Sequence, residues 1–123
     1  MSYTNIFLHP QNFSINYWIS QGAPRDKLIL GMPLYGQTFT LDNPATGNDL
    51  NAKASMKGKS GQFTQQEGFL AHYEICKLIE EEGWTVVKDP EGRMGPYATK
   101  GDQWVSYDDS DMIKYKVWHI FIV

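Results

Sequence analysis

Leu28-Ile29-Leu30-Gly31-Met32-Pro33-Leu34-Tyr35-Gly36-Gln37-Thr38-Phe39-Thr40-Leu41 changes its hydrophobic period halfway along. Leu28 to Met32 is almost continuously apolar, the pattern of a strand buried on both faces in a parallel sheet. From Gln37 to Leu41 polar and apolar residues alternate, the pattern of a half-buried antiparallel strand. Two kinds of structure are therefore expected to meet between Met32 and Gln37. Upstream, residues 1–11 read as irregular, with Pro10 as a breaker. Over residues 12–21 Phe13, Tyr17 and Trp18 recur on one side of a helix, which Gly22 and Pro24 end. Helix, short turn and buried strand together form the αβ half of a βαβ unit.

Downstream, residues 42–62 are rich in Asn, Gly, Lys and Ser and read as a long loop. Thr64 followed by Glu67 has the spacing of a capping box. It predicts a helix over about 65–82 that turns Phe69, Leu70, Tyr73, Cys76 and Ile79 toward a sheet. On its other face Glu74 reads as exposed and within reach of Lys77, and Glu80-Glu81-Glu82 as a solvated end. Gly83 stops the helix, residues 84–88 read as a strand, and Asp89-Pro90-Glu91-Gly92 is turn chemistry. Residues 94–99 and 103–107 read as short strands, and Asp109 as the cap of a short helix over 110–116. Residues 117–123 form an apolar tail. Helix and strand followed by a small α+β module and a return to helix is the order of an insertion set into a larger α/β fold.

At 123 residues the chain is about half the length of a complete (β/α)8 barrel, typically about 250 residues. Eleven basic residues against 14 acidic ones, scattered from Arg25 to Lys116, make no basic stripe, so nucleic acid is not an expected partner. No apolar run approaches the roughly 20 residues needed to span a bilayer, and no membrane partner is expected. Met1 to Pro10 lacks the pattern of a signal peptide. One cysteine, Cys76, permits no disulfide within the chain and no multi-cysteine metal site.

His9, His72 and His119 lie in separate segments, and neither HExxH nor G-x-S-x-G occurs, so no metal, cofactor or serine nucleophile is expected. Asp108 and Asp109 are adjacent after a strand and point to opposite faces, which suits a cap and a surface charge rather than an acid/base dyad. What remains is a set of aromatics near strand ends: Tyr35, Trp104 and Tyr107. Aromatic faces beside amides suit sugar rings, which are apolar on one face and hydroxylated at the edge. The same residues equally suit a core, and both readings stay open on composition alone.

Three stretches carry a resemblance. Residues 17–36, YWISQGAPRDKLILGMPLYG, resemble the YW…G-x-P…KL-x-x-G-x-P-x-YG segment of glycoside hydrolase family 18. Phe69-Leu70-Ala71-His72-Tyr73-Glu74-Ile75-Cys76 resembles that family's LAYYEIC helix. Pro96-Tyr97-Ala98 followed by residues 102–109, DQWVSYDD, resembles its PYA…NQWV-x-[FY]-DD return. Order and spacing agree over roughly residues 15–116, with the chitinases and chitinase-like lectins of animals and arthropods the nearest in flavour.

The resemblance implies a fold: an α+β insertion domain, an antiparallel sheet plus one helix, flanked by pieces of a (β/α)8 TIM barrel. The implied boundaries are a partial barrel helix and strand at 12–36, the insertion at 37–107, a partial return to the barrel at 108–116 and an atypical apolar tail at 117–123. The implied chemistry is substrate-assisted hydrolysis of β-1,4-linked N-acetylglucosamine, with a glutamic acid as proton donor. That acid belongs to a D-x-x-D-x-D-x-E motif, a string absent from these residues, so no catalytic residue is assigned. Tyr35 matches the family's cleft tyrosine. Gln37 stands where the family usually has Arg, and Gln66, with Glu67 beside it, where a carboxylate is common; on a helix start that one-residue shift turns Glu67 to another face. The expected sugar-binding set is therefore Tyr35, Gln37, Gln66 and Glu67. The resemblance further implies that Cys76 pairs, in relatives, with a cysteine after the eighth strand, which leaves it here a free, buried thiol. It implies an extracellular protein whose partner is chitin or its oligomers, bound weakly by this chain alone. Exposed barrel flanks point to self-association. A non-catalytic interaction module or lectin-like fragment is the alternative.

Overall fold

The computed structural model of the chain describes residues 9–92 and 94–122. Residues 1–8, and with them most of the segment read as irregular and without a signal peptide, lie outside the described residues. The chain divides into two compact units, one ending at Met32 and one beginning at Pro33.

The first unit holds one helix, α1 (His9–Ser20). Pro10 does not break it. It sits in the first turn, where a missing N–H costs nothing. Phe13 stacks on Tyr17 with ring centroids 6.3 Å apart, as the helical spacing predicts. Gly22 closes the helix: its N–H donates to the Ile19 carbonyl at 2.9 Å, and Ala23 N–H reaches back to Trp18 at 3.0 Å. After a 3-10 turn at Arg25–Lys27, the run Leu28–Met32 is not a strand, and Ile29 is 95% exposed. A parallel strand needs a neighbouring strand reached through a crossover connection. Among the described residues, no strand pairs with this run.

The second unit is a six-stranded antiparallel sheet with a helix on one face. Its strands are β1 (Tyr35–Leu41), β2 (Ala54–Lys57), β3 (Phe69–Ala71), β4 (Thr85–Val87), β5 (Tyr97–Lys100) and β6 (Gln103–Ser106). Its helices are α2 (His72–Glu82) and α3 (Ser110–Ile122). The sheet order is β2-β1-β6-β5-β4, with β3 also paired to β1. One edge of β1 is shared: β3 lies opposite Tyr35 to Gln37, and β2 opposite Phe39 to Leu41. The other edge takes β6, with Thr38 opposite Val105 and Phe39 opposite Trp104.

Alternation along β1 is as read: Tyr35, Gln37 and Phe39 are exposed, while Gly36, Thr38 and Thr40 are buried. The buried face meets α2 in a core of Leu70, Ile75, Ala98 and Val105, flanked by Leu78, Ile79, Trp84, Val86 and Tyr107. Gly36 lets the helix approach. A Cβ there would sit 2.7 Å from Ile75 Cδ1, Val105 Cγ2 and the Ser106 carbonyl oxygen alike.

Several sequence expectations change here. The long loop contains β2, whose four residues are all exposed. The helix expected from 65 begins only at His72, because Gln65 and Gly68 take left-handed φ values of 52° and 78°. Gly68 accepts from Thr38 N–H at 3.1 Å, which lays Phe69–Ala71 along β1 as a strand. Tyr73 is 57% exposed rather than core-facing, and Cys76 is half-buried with Sγ 3.5 Å from His72 Nδ1. The apolar tail continues α3 as far as Ile122. Asp109 caps α3 as expected, accepting from Met112 N–H at 2.9 Å.

Candidate functional site

Of the four residues expected to bind sugar, Tyr35 and Gln37 lie on the face of the sheet opposite α2, while Gln66 and Glu67 lie outside the sheet, ahead of β3. Tyr35 opens β1 and is 43% exposed; its ring stacks on Phe69 with centroids 5.1 Å apart and planes 27° apart. Gln37, two residues on, projects from the same face, and its backbone pairs with Phe69 on one side and Ser106 on the other. Phe39 continues the row and meets Trp104 at 6.1 Å, and Trp104 stacks on Tyr97 at 5.3 Å. The result is an aromatic surface running across β3, β1, β6 and β5.

This surface is open at one end and closed at the other. Over β5 the loop between β1 and β2 folds down, and Asn48 Nδ2 donates to Thr99 Oγ1 at 3.3 Å. Tyr97 is buried there, and burial together with the nearby Asp49 charge pushes its hydroxyl above the usual tyrosine range. Over β1 and β3 no such cover exists among the described residues, and Tyr35, Gln37 and Phe39 meet solvent. Of the three aromatics read as sugar platforms or core, Tyr35 and Trp104 lie on this face. Tyr107 packs against the core cluster and meets His72 edge-on at 6.2 Å. Burial pushes its hydroxyl up as well, with the Asp109 charge adding to the shift.

Gln66 and Glu67 are both exposed, in the segment that delivers the chain into β3. Because this segment is not helical, the rotation by a helix turn that would separate their faces does not apply. Gly68, next in sequence, is tied by backbone bonds to Thr38 and to Gly58, so Gln66 and Glu67 lead directly into the β1–β3 pairing.

A buried carboxylate holds that segment. Glu74, expected on the surface, is 4% exposed. It accepts from Phe63 N at 2.8 Å, Thr64 N at 3.1 Å, Thr64 Oγ1 at 2.8 Å and Ala71 N at 3.0 Å. Burial alone raises a carboxyl pKa; here the bonds from Thr64, Phe63 and Ala71 outweigh it and hold Glu74 below the ordinary carboxylate range. Gly61 lies so close that a Cβ would collide with the Glu74 carboxylate. One side chain of α2 thus pins both ends of the segment bearing Gln66 and Glu67.

Phe69 was missed as a site residue, because helical spacing placed it in the core stripe. Its signal is Gly68: a glycine just before an apolar triplet marks a turn into a strand as well as it fits a helix. Among the described residues no group of three or more His, Cys, Asp and Glu is placed to hold a metal ion. No helix among them is long and apolar enough to cross a membrane.

The comparisons with known proteins agree with one another. The chain is 58% identical over 105 residues to probable chitinase 10 of Drosophila melanogaster, covering 85% of this chain and 4% of that protein. It is 40% identical over 116 residues to human chitinase-3-like protein 2, covering 94% of this chain and 27% of the relative. Among solved structures, catalytic domain 2 of the Ostrinia furnacalis group II chitinase superposes with a TM-score of 0.88 at 42% identity, over 95% of this chain and 32% of that one. Human YKL-39, described as a pseudo-chitinase with retained chitooligosaccharide-binding properties, superposes at 0.78 with 35% identity, over 97% of this chain and 32% of that one. The chain therefore spans about a third or less of these relatives. Its antiparallel sheet with helices is an α+β insertion domain flanked by pieces of a TIM barrel, as in those neighbours. With the family model for glycosyl hydrolases family 18 matching residues 8–122, the chain belongs to that family.

Proposed function

We propose that this chain forms one wall of a chitooligosaccharide cleft and binds such sugars weakly, without hydrolysing them alone. The observation that carries the reading is the stacked Tyr35–Phe69 pair beside Gln37 on an uncovered sheet face. A pyranose ring laid on that pair meets an apolar platform, and Gln37 supplies both a donor and an acceptor for hydroxyl or acetamido groups. Gln66 and Glu67 add polar groups from the segment that leads into β3. A structure of the Ostrinia furnacalis domain in complex with penta-N-acetylchitooctaose supports the ligand class.

A wall without its opposite side buries few sugar atoms, and each hydrogen bond to a hydroxyl nets only about 1 kcal/mol against water. Millimolar affinity, about 4 kcal/mol, is the expected ceiling. Hydrolysis needs a proton donor over the glycosidic oxygen, and these residues contain no D-x-x-D-x-D-x-E string to supply one. Chemical-shift mapping with chitotetraose tests the reading. Shifts centred on β1 and β3 that Tyr35→Ala weakens about ten-fold or abolishes agree with it. Micromolar binding indicates a complete lectin site instead, and turnover that Glu67→Gln removes overturns it.

The relatives that are glycoproteins, such as the human oviduct-specific glycoprotein at 43% identity, favour an extracellular place. The exposed Phe13, Trp18 and Ile29 favour self-association. Sedimentation across a concentration series checks the latter, and a strictly monomeric chain rejects it.

A further inference from the structure

Residues 58–68 form a loop whose two ends meet at Thr38. Gly58 N–H donates to the Thr38 carbonyl at 3.0 Å, and Thr38 N–H donates to the Gly68 carbonyl at 3.1 Å. A third bond, from Gly68 N–H to the Gly58 carbonyl at 2.9 Å, closes the loop on itself. This is the form of an Ω-loop, a compact surface segment with its ends together and side chains packed inside it.

Here the side chain at the centre comes from outside the loop. Glu74 belongs to α2, on the other face of the sheet from Tyr35. Two successive N–H groups, Phe63 and Thr64, converge on its Oε1, the arrangement of a backbone anion nest. Its Oε2 accepts from Thr64 Oγ1 and from Ala71 N–H, so the same carboxylate also holds the end of β3. Gly61 leaves no room between loop and carboxylate, since a Cβ there would overlap both Glu74 Oε1 and Cδ. Gln65, next to the nest, is held at a φ of 52°, which costs a non-glycine residue free energy. Such a conformation persists where its surroundings over-determine it.

Three residues of the candidate site follow Gln65 directly. Gln66 and Glu67 end the loop, and Phe69 enters β3 and stacks on Tyr35. Glu74 is therefore bonded to the chain on both sides of these three residues. With 4% exposure and four donors on its two oxygens, it has no part in contacting a ligand on the Tyr35 face.

We propose that Glu74 is a positioning residue, which through the 58–68 loop and the Ala71 N–H fixes Phe69 against Tyr35 and sets where Gln66 and Glu67 stand beside that pair. The ligand of this site rests on the sugar reading above, but the Tyr35–Phe69 stack is present in the free chain. A carboxylate that only stabilised the fold would change unfolding and leave the folded platform as it is. A positioning carboxylate changes the platform in molecules that are still folded.

The experiment compares variants of the 123-residue chain, well below their unfolding temperatures, by NMR without ligand and by titration with chitotetraose. Glu74→Gln keeps one accepting oxygen and turns an NH2 group against the donors that the other oxygen served. Without ligand, the expected result is a loss of ring-to-ring NOEs between Tyr35 and Phe69 and shifted amides over 61–71, with the β5 and β6 amides in place. With sugar, the expected affinity is about ten-fold weaker. Thr64→Val removes one of the four bonds and is expected to weaken binding about three-fold. Thr64→Ser keeps the hydroxyl and is expected to restore it. Val86→Ala thins the core at β4, and is expected to lower stability while leaving the stack and the affinity unchanged. Intact Tyr35–Phe69 NOEs in Glu74→Gln overturn the proposal, as does a Val86→Ala chain whose affinity falls as far. If Glu74→Gln does not fold, the same ring contacts in Thr64→Val against Thr64→Ser decide it. A wild-type chain without any sugar titration rejects the sugar reading instead, and the ring contacts in the free chain still decide the role of Glu74.

Discussion

Residues 28–32 and 37–41 are near neighbours in the chain, yet the more continuously apolar run pairs with no strand among the described residues and leaves Ile29 in water, while the alternating one is a strand paired on both edges. The difference is in how each obtains its partners. An antiparallel strand can be flanked by segments that follow it closely, and β1 is paired by β2, β3 and β6 from within the next 65 residues. A parallel strand relies on crossover units elsewhere in the chain. Leu28–Met32 keeps the composition of a doubly buried strand, but among the described residues nothing completes it. Hydrophobic period therefore reports the environment a segment is suited to, and pairing decides whether it has it.

The largest expected effect falls on the sheet unit through Glu74. Glu74→Ala orphans three backbone N–H groups in the segment between β2 and α2, each costing about 1–3 kcal/mol when buried. We expect a loss of about 3–5 kcal/mol in urea unfolding. Glu80→Ala, on the solvated face of the same helix, should stay within about 0.5 kcal/mol. Equal effects would mean that the buried carboxylate does not organise this unit.

A second pair of substitutions sets the two runs against each other directly. Ile75 is fully buried between α2 and β1, so Ile75→Ala should cost about 2–5 kcal/mol. Ile29→Ala should cost less than about 0.5 kcal/mol, since its side chain is already in water. A large loss at Ile29 would show that residues 28–32 acquire a buried partner in solution, and the contrast between the runs would collapse.

Acid titration sharpens the same point. The folded pKa of Glu74 lies below its unfolded value near 4.5, so its contribution is fully present above that value. It is lost as pH falls through the folded pKa. Asp109 is held low in the same sense: burial opposes ionisation, but Lys88 and the α3 N-terminus outweigh it. Stability measured by denaturant midpoint should be flat in these terms from pH 7 to about 5 and fall below about 4.5. In Glu74→Gln the acid limb should be shallower but not absent, because Asp109 remains.

What could be read in the sequence follows the same division. The alternation in β1, the strands β4, β5 and β6, and the Asp109 cap are set by residues local to each, and all were legible. The short strand β2 was not: Ala54, Ser55, Met56 and Lys57 are all exposed and show no period of two. The start of α2 was misplaced because Thr64 and Glu67 imitate a capping box, while the true N-cap position is Ala71, which has no capping side chain. Its N3 residue, Glu74, does the capping, and its burial depends on donors from Phe63 and Thr64 that only the tertiary fold brings near. At the candidate site, Tyr35 and Gln37 came from the family pattern and share one face. Phe69 was hidden because a three-residue apolar strand and the first turn of an amphipathic helix look alike in sequence.

The smallest expected effect concerns how the chain leaves the sheet, compared with how it enters. At the entry, Pro33 and Leu34 open the sheet unit, and the Leu34 carbonyl accepts from His72 N–H at 2.9 Å. At the exit, Asp108 pairs with Lys116 across two turns of α3, and Asp109 both caps α3 and accepts from Lys88 at 2.7 Å. The last link spans from the end of β4 to the end of β6, so the helix start is tied to the sheet on two sides. Asp109→Ala removes a cap, worth typically about 1 kcal/mol, and a half-exposed ion pair, worth about 0–1 kcal/mol. The expected loss is about 1–2 kcal/mol, and Asp109→Asn, which keeps the capping oxygen and loses the charge, should recover about half of it. Because Lys88 is held protonated by Asp109, the difference between the two variants should shrink in high salt. If Asp109→Asn is as damaging as Asp109→Ala, the ion pair and not the cap fixes the exit, and α3 is tied to β4 rather than terminated by its own sequence.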